Sequence, residues 1–275
     1  MAEEKDGGID EEALAEAYNR ALTLEKSGDY EAAASAYQEV LRLDPDDHGG
    51  AAVRLASIGR GETPPKAPDA YVTTLFDQHA GDFENILVDQ LGYGVPDLVR
   101  KALQKFAPGN YERLLDLGCG TGLSGETLCD MAAHVTGVDL SENMLELAEE
   151  KDVYDELYVG EVVDFLESVE TDPYDLVTAT DVLPYMGHLE GFFAGAASVM
   201  ARRGILAFST ETLPTETFEG RPFMVGPHQR FAHAEAYLRG LMKENGLACL
   251  AFRPITVRHE QGKPVRGHLV IARKL

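Results

Sequence analysis

Apolar positions follow two different spacings along this chain of 275 residues. From Glu11 to Leu43 apolar and small residues recur every three to four positions, which predicts helices, with one interruption at Lys26–Tyr30 that predicts a hairpin turn. A third helical run, DHGGAAVRLASIG, stops at the proline-containing segment Arg60–Ala70. The predicted units are a helical segment over 1–60, a linker over 61–70 and a second domain over 71–275.

Beyond the linker, short apolar runs typical of strands alternate with runs at helical spacing. Strict alternation predicts a parallel sheet covered by helices on both faces. The last two extended runs are joined by Gln261–Lys263 alone, which makes them antiparallel neighbours. The fold class is therefore α/β, a Rossmann-like sheet of seven strands. These strands are RLLDLG, HVTGVDL, DELYVG, YDLVTAT, GILAFST, ACLAFRPITVRHE and PVRGHLVIARK.

A glycine-rich stretch, LLDLGCGTG, includes the end of the first predicted strand. Ligands of open α/β sheets bind outside the carboxyl ends of the strands, and glycines let backbone amides approach them. Asp116, two residues before the first glycine, favours a ligand that carries positive charge. Asp139 ends the next strand, where α/β sites place a carboxylate on ribose hydroxyls. The overlapping GTGLSG also fits the spacing of dinucleotide-binding turns, so a nicotinamide oxidoreductase is an alternative.

Four motifs, in this order, resemble those of class I S-adenosylmethionine-dependent methyltransferases: LLDLGCGTGLSG, VTGVDLSENMLELAEEK, YDLVTATDVLPYMGHL and RRGILAFSTE. Gly28, Ala33, Tyr37 and Pro45 match the turn, close-contact, aromatic and terminating positions of a tetratricopeptide repeat. With its flanking segments the chain is similar to a bacterial group of tetratricopeptide-containing methyltransferases. The resemblance implies S-adenosylmethionine as cofactor and a sheet whose last two strands are antiparallel.

The same resemblance implies a cofactor site at the ends of the first four strands. The residues that would surround the methionine part are Asp116, Gly118, Cys119 and Gly120. Those that would hold the ribose and adenine are Asp139, Leu140, Met144, Glu161 and Val162. Asp181, after the fourth strand, would line the cofactor and the mouth of the acceptor site.

Methyl transfer from a sulfonium needs a base only when the acceptor carries a proton. Candidates for catalysis or acceptor binding lie in the connection after the fifth strand, which has more than 20 residues before its helix and is predicted to be a lid or acceptor-binding element. Glu211 follows the strand directly. Arg230 and His233 flank a predicted helix start whose dipole would lower the pKa of His233. Tyr185 and His79 are candidates to close the pocket from two other sides.

The net charge and the cysteine content limit which binding partners, cell compartment and metal sites can be predicted. The formal net charge of -23 disfavours nucleic acid and anionic membranes. No stretch approaches the roughly 20 apolar residues of a membrane span, and the acidic start MAEEKDGGIDEE is unlike a targeting signal, which predicts a cytoplasmic protein. The three cysteines and the scattered histidines have no metal-ligand spacing, so we predict reduced thiols and no metal site.

The sequence leaves two functions open beside the oxidoreductase. The first is methyl transfer to a small molecule or a carrier-bound acyl substrate. In the second, the repeat recruits a protein through residues 10–60, and the α/β domain methylates that protein or only senses the cofactor. One repeat and a half cannot bury a core alone, so it should pack on the second domain, on its own copy in a homodimer, or on a partner.

Overall fold

The fold is described from a computed structural model that covers residues 10–275. Residues 1–9 lie outside the described residues. They belong to the acidic start from which we predicted that no targeting signal is present. The helical hairpin is confirmed as α1 (Glu11–Ser27) and α2 (Tyr30–Leu43), and α3 (Ala51–Ser57) follows. Asp29 caps α2 by accepting a hydrogen bond from the Ala32 N–H.

The second domain alternates helices and strands as the pattern predicted. Its helices are α4 (Asp69–His79), α5 (Val95–Phe106), α6 (Leu123–Leu128), α7 (Glu142–Glu150), α8 (Val162–Ser168), α9 (Glu190–Val199) and α10 (Glu235–Glu244). Its strands are β1 (Tyr111–Leu117), β2 (Ala132–Asp139), β3 (Glu156–Val159), β4 (Tyr174–Ala179), β5 (Met200–Glu211), β6 (Phe223–Val225), β7 (Phe231–His233), β8 (Leu247–Glu260) and β9 (Lys263–Lys274).

One twisted sheet carries all of these strands. Strands β3, β2, β1, β4 and β5 lie side by side in that order and are parallel. Strand β9 pairs antiparallel with β5, and β8 pairs antiparallel with β9. The turn between β8 and β9 has positive φ at both Gln261 and Gly262, the geometry of a tight hairpin turn. The predicted fold class and the antiparallel last pair are confirmed.

The connection after β5 differs from the predicted irregular loop. It contains a 3₁₀ turn over Thr215–Phe218 and the hairpin of β6 and β7, so the sheet has nine strands among the described residues. Strand β7 extends the sheet by pairing at the very end of β5, where Glu211 is opposite Ala232. Strands of three residues are too short to show an alternating pattern, which is why the sequence did not reveal them.

The repeat packs on this β6–β7 hairpin. Val53 of α3 is fully buried in a cluster with Phe223, Val225 and Phe231. The Ser57 hydroxyl donates a hydrogen bond of 2.9 Å to the carbonyl of Gly226, in the turn of the hairpin. The apolar face that the repeat cannot cover alone is therefore covered in part by the second domain.

Two apolar layers enclose the sheet. One includes α8, α9 and α10 with the large side chains Phe192, Phe193 and Phe208, and the other includes α5 with Val99 and Leu103. Ligands of sheets covered in this way bind at the carboxyl ends of the parallel strands. No helix within residues 10–275 combines the length and apolar character needed to cross a membrane.

The contact between repeat and hairpin yields a prediction. Val53→Ala removes two methyl groups from a fully buried position and should lower the free energy of unfolding by roughly 1–3 kcal/mol. Val88→Ala, at a more exposed position, is the matched control and should change it by well under that amount. Urea unfolding followed by circular dichroism measures both, and equal effects of the two variants would contradict the interface.

Candidate active site

A cavity lies at the carboxyl ends of β1, β2 and β4. Together with the open space at its mouth, it has a volume of about 940 Å³. The wall nearest to the sheet is formed by the residues that directly follow these strands. The opposite wall comes from residues 66–93, which precede the sheet in the sequence.

The turn after β1 gives the cavity its shape. Gly118 and Gly120 have φ of +63° and +54°, values that side chains other than glycine adopt with strain. A Cβ at Gly118 would overlap the side chain of Val182, whereas at Gly120 the nearest atom is the Phe83 ring at 4.0 Å. The backbone at Gly120 therefore borders open space, and a ligand can approach it closely.

Asp139 fixes this turn from the neighbouring strand. Its carboxylate accepts hydrogen bonds from the Gly120 N–H at 2.8 Å and from the Ser141 N–H at 2.9 Å. Burial raises the pKa of Asp139, and the hydrogen bonds oppose that rise. Asp139 also lines the cavity, and each carboxylate oxygen keeps a lone pair for a further donor such as a ribose hydroxyl.

Asp116 lies behind the turn and not in the cavity wall. It is fully buried and accepts hydrogen bonds of 2.8 Å from the Tyr154 hydroxyl and from the Thr178 hydroxyl. Burial raises the pKa of Asp116 to about 6. At neutral pH it is mainly ionised, a buried negative charge stabilised by two hydroxyl donors, which favours positive charge on a ligand bound at the adjacent turn.

The structure brings most of the predicted cofactor residues together around the cavity. Those that line it are Gly118, Cys119, Gly120, Asp139, Leu140, Glu161, Val162 and Asp181. Met144 does not line it, because its side chain is fully buried in α7. Glu161 has a second function as the cap of α8, since it accepts hydrogen bonds from the N–H groups of Val163 and Asp164.

The predicted catalytic residues are dispersed, and of the four Tyr185 alone lines the cavity. Glu211 forms an ion pair of 2.7 Å with Arg258, and His79 is exposed at the end of α4. His233 lies on β7, two residues before α10, and its Nε2 is 2.8 Å from the carbonyl oxygen of Met186. Burial, rather than the predicted helix dipole, lowers its pKa to about 4. The geometry therefore supports a structural role for His233.

Sequence reasoning did not assign the wall formed by residues 66–93. Phe76 packs edge-on against both Phe83 and Tyr185, at centroid distances of 5.8 and 5.3 Å. The linker is held across the site, because the Ala67 N–H donates to the carbonyl of Tyr185 at 2.8 Å. The available signal was the set of aromatic residues in YVTTLFDQHAGDF, which no sheet core required.

A cluster of ion pairs adjoins the cavity beyond β4 and β5. Arg258 is completely buried and contacts Glu211 and Glu260 at 2.7 Å and Asp181 at 3.4 Å. Arg230 contacts Asp181 at 3.3 Å. The backbone of Asp181 is in the left-handed region, with φ of +60°, and in this conformation its carboxylate contacts both arginines. In the described part of the chain, no group of three or more His, Cys, Asp or Glu is arranged to hold a metal ion.

Family models match two parts of the chain. A methyltransferase domain matches residues 115–208, and a tetratricopeptide repeat matches residues 15–47. The first contains the glycine turn, Asp139 and Asp181, and the second covers the α1–α2 hairpin.

Curated relatives are similar over parts of their length. A ubiquinone biosynthesis O-methyltransferase of Maricaulis maris is 24% identical over 59% of this chain and 71% of its own. A malonyl-[acyl-carrier protein] O-methyltransferase of Bacillus anthracis is 29% identical over 42% of this chain and 43% of its own. An 18S rRNA (guanine-N(7))-methyltransferase of Arabidopsis thaliana is 49% identical over 18% of this chain and 17% of its own. Two of these three relatives are thus matched over less than half of their length.

Solved structures share the fold. The N-methyltransferase NodS of Bradyrhizobium japonicum, in complex with S-adenosyl-L-homocysteine, has a TM-score of 0.56 at 14% identity and covers 74% of this chain and 97% of its own. The [4+2]-cyclase SpnF has a TM-score of 0.59 at 15% identity and covers 78% and 99%. The sheet order and the glycine turn define a class I methyltransferase domain. Residues 115–208 thus match a methyltransferase domain within the fold of the class I S-adenosylmethionine-dependent enzymes, and a tetratricopeptide repeat precedes it.

The residues present fit this cofactor. Open space at Gly120 accepts a ligand against the backbone, the carboxylate of Asp139 is available to hydroxyl groups, and buried Asp116 compensates positive charge. A dinucleotide would instead place phosphates near two carboxylates, which disfavours the oxidoreductase alternative.

Replacing Asp139 tests this assignment. Asp139→Asn keeps the size of the side chain but removes a charged acceptor, so the affinity for S-adenosylhomocysteine should fall by about tenfold or more. Asp172→Asn, at an exposed position, is the matched control and should bind normally. Calorimetric titration of the folded variants measures both, and unchanged affinity in Asp139→Asn would remove Asp139 from the site.

Asp116 predicts a pH dependence of stability. Its folded pKa of about 6 lies above the unfolded value of 3.8, so the folded state binds more protons between these values. The wild type should therefore lose stability relative to Asp116→Asn as the pH rises from about 4 to about 6, by on the order of 3 kcal/mol in total. Urea unfolding at several pH values gives this difference, and a difference independent of pH would show that the pKa of Asp116 is not raised.

Proposed function

We propose that this protein transfers a methyl group from S-adenosylmethionine to a small molecule or to a carrier-bound acyl group. The observation that carries the proposal is the cavity itself. The cofactor residues occupy its side over β1, β2 and β3, and an aromatic wall formed by Phe76, Phe83, Tyr93 and Tyr185 remains for the acceptor. Such a cavity suits one small reactive group better than an extended surface.

The residues of the chain have three tasks in this reaction. The bound cofactor supplies an electrophilic methyl group on a positively charged sulfur. The turn at Gly118–Gly120 and the carboxylate of Asp139 orient it, and the aromatic wall excludes water and aligns the acceptor. Among residues 10–275 no histidine lines the cavity, so these residues offer no imidazole base there.

The relatives support a small or carrier-bound acceptor without identifying it. Their names give O-methyl transfer in ubiquinone biosynthesis and on malonyl-[acyl-carrier protein], so that the acceptor atom of both relatives is oxygen. The rRNA methyltransferase matches over 49 residues only, and the net charge of -23 opposes a polyanionic substrate.

Recruitment of a protein by the repeat is the second candidate. The face of α3 that packs on the hairpin is occupied, so a partner would bind the outer surface of α1 and α2. Deleting residues 1–60 would expose Phe223, Val225 and Phe231 and confound the result. Exchange of exposed charges on α1 and α2, such as Glu12→Lys and Glu16→Lys, tests recruitment without removing the buried contacts.

The two candidates predict different methyl acceptors. Incubation with methyl-labelled S-adenosylmethionine and a fraction of bacterial metabolites below ~1 kDa should give labelled product, whereas a protein fraction freed of small molecules should not. Asp139→Asn is the negative control. Labelled protein that disappears with Glu12→Lys and Glu16→Lys would favour recruitment, and cofactor binding without any labelled product would favour a cofactor-sensing role.

A further inference from the structure

We propose that the methyl acceptor carries a carboxylate and that Arg230 binds this carboxylate next to Asp181 and Tyr185. The inference rests on the proposed methyl transfer. It assigns the acceptor class and one residue that recognises it.

The position of Arg230 is set by two residues of the cavity wall. Its Nη1 lies 3.3 Å from Oδ2 of Asp181, and its guanidinium carbon lies 5.0 Å from the centre of the Tyr185 ring. Asp181 and Tyr185 both line the cavity. Asp181 thus binds one edge of the planar guanidinium, and the Tyr185 ring covers one face. These two contacts orient the group before a ligand binds.

The remaining donors of Arg230 are free for a ligand. Among the described residues, its side chain forms hydrogen bonds with Asp181 alone, and its other nitrogens are not among the buried unpartnered atoms. The side chain is 20% exposed. A guanidinium can bind a carboxylate with two parallel N–H donors, which requires an open edge of this kind.

Arg258 shows the contrasting arrangement within the same cluster. Its side chain is fully buried, and its donors are used by Glu211, Glu260 and Asp181. Arg258 therefore compensates acids of the protein and has no capacity for a ligand. Arg258 also contacts Asp181, so the negative charge of Asp181 is shared between two arginines. The attraction between Asp181 and Arg230 is weakened as a result.

In the described chain, Arg230 has one carboxylate within ion-pair distance, whereas the other cations beside the cavity have two or more. Within residues 10–275, the one lysine or arginine that lines the cavity is Lys66, which forms ion pairs of 2.8 Å with Asp69 and 3.8 Å with Glu161. The residues predicted to hold adenine follow β2 and β3, whereas Asp181 and Tyr185 follow β4, on the other side of β1 in the sheet. Arg230 therefore lies behind the cavity wall on the side away from the adenine residues, in contact with Asp181 and Tyr185.

The chemistry of the wall favours the same acceptor. Burial raises the pKa of Tyr93 well above its usual range, and burial also raises the pKa of Tyr185, so neither hydroxyl is a base at neutral pH. A carboxylate needs no base, because it carries no proton to lose. One of its oxygens forms a bond to the methyl carbon while the carbon–sulfur bond breaks and its electron pair goes to sulfur. The products are a methyl ester and S-adenosylhomocysteine, and no proton moves.

A binding experiment tests the carboxylate site directly. The probes are hexanoate and its neutral analogue hexanamide, titrated by calorimetry into protein saturated with S-adenosylhomocysteine. We expect the wild type to bind hexanoate about tenfold or more tightly than hexanamide. Arg230→Gln should abolish this preference while binding S-adenosylhomocysteine as the wild type does, and Arg230→Lys should restore part of it because it keeps the charge.

Arg221→Gln is the matched control, since Arg221 belongs to the same connection, is half-exposed and pairs with Glu219. It should keep the full preference. Equal binding of hexanoate and hexanamide by the wild type, or an undiminished preference in Arg230→Gln, would overturn the inference. A wild type that does not bind S-adenosylhomocysteine would instead overturn the proposed function.

The fate of the label gives an independent test. Methyl esters are hydrolysed by alkali and release volatile labelled methanol, whereas methyl groups on nitrogen, sulfur or ether oxygen stay attached. Labelled product from the metabolite fraction should therefore lose its label in alkali. A product that retains the label would leave methyl transfer in place and refute the carboxylate acceptor.

Discussion

A single hydrogen bond organises the ligand end of this molecule, the one between the Gly120 N–H and the carboxylate of Asp139 at 2.8 Å. It connects the turn after β1 to the end of β2, the neighbouring strand in the sheet. The same carboxylate holds the start of the next segment through the Ser141 N–H. Because the bond holds the turn open, the backbone at Gly120 can face a cofactor, and Asp139 retains acceptor capacity for it.

The side of the cavity beyond β4 depends on ion pairs between buried arginines and carboxylates of the protein. Arg258 is buried against three carboxylates, an arrangement that is costly unless every partner is present. This cluster joins the ends of β5 and β8 to Asp181, whose strained backbone follows β4. Arg230, which shares Asp181 with this cluster, lies against Tyr185 of the aromatic wall. The cofactor side and the acceptor side are thus built by different interactions on one sheet edge.

The repeat is part of the same construction. Through Val53 and Ser57 it supports the β6–β7 hairpin, and Arg230 directly precedes β7 in that hairpin. A change in the packing of α3 would therefore be transmitted to the acceptor side over a few residues. This arrangement gives the repeat a structural reason to be attached to the domain, whether or not its outer surface binds a partner.

The sequence by itself determined the repeat hairpin, the seven principal strands and the residues around the glycine turn, because periodicity and a local motif encode them. Gly118, Gly120 and Asp139 could be placed at one edge since parallel strands end together. Tertiary structure alone decided the rest. The three-residue strands β6 and β7 exist through pairing with β5 and packing on α3, and the wall from Phe76 to Tyr93 forms by contacts with residues that follow β4. Arg230 and Arg258 are the same residue type, and the sequence does not show which acids each will contact. In the folded protein the donors of Arg258 are used by three acids, whereas Arg230 keeps donors that have no partner among the described residues.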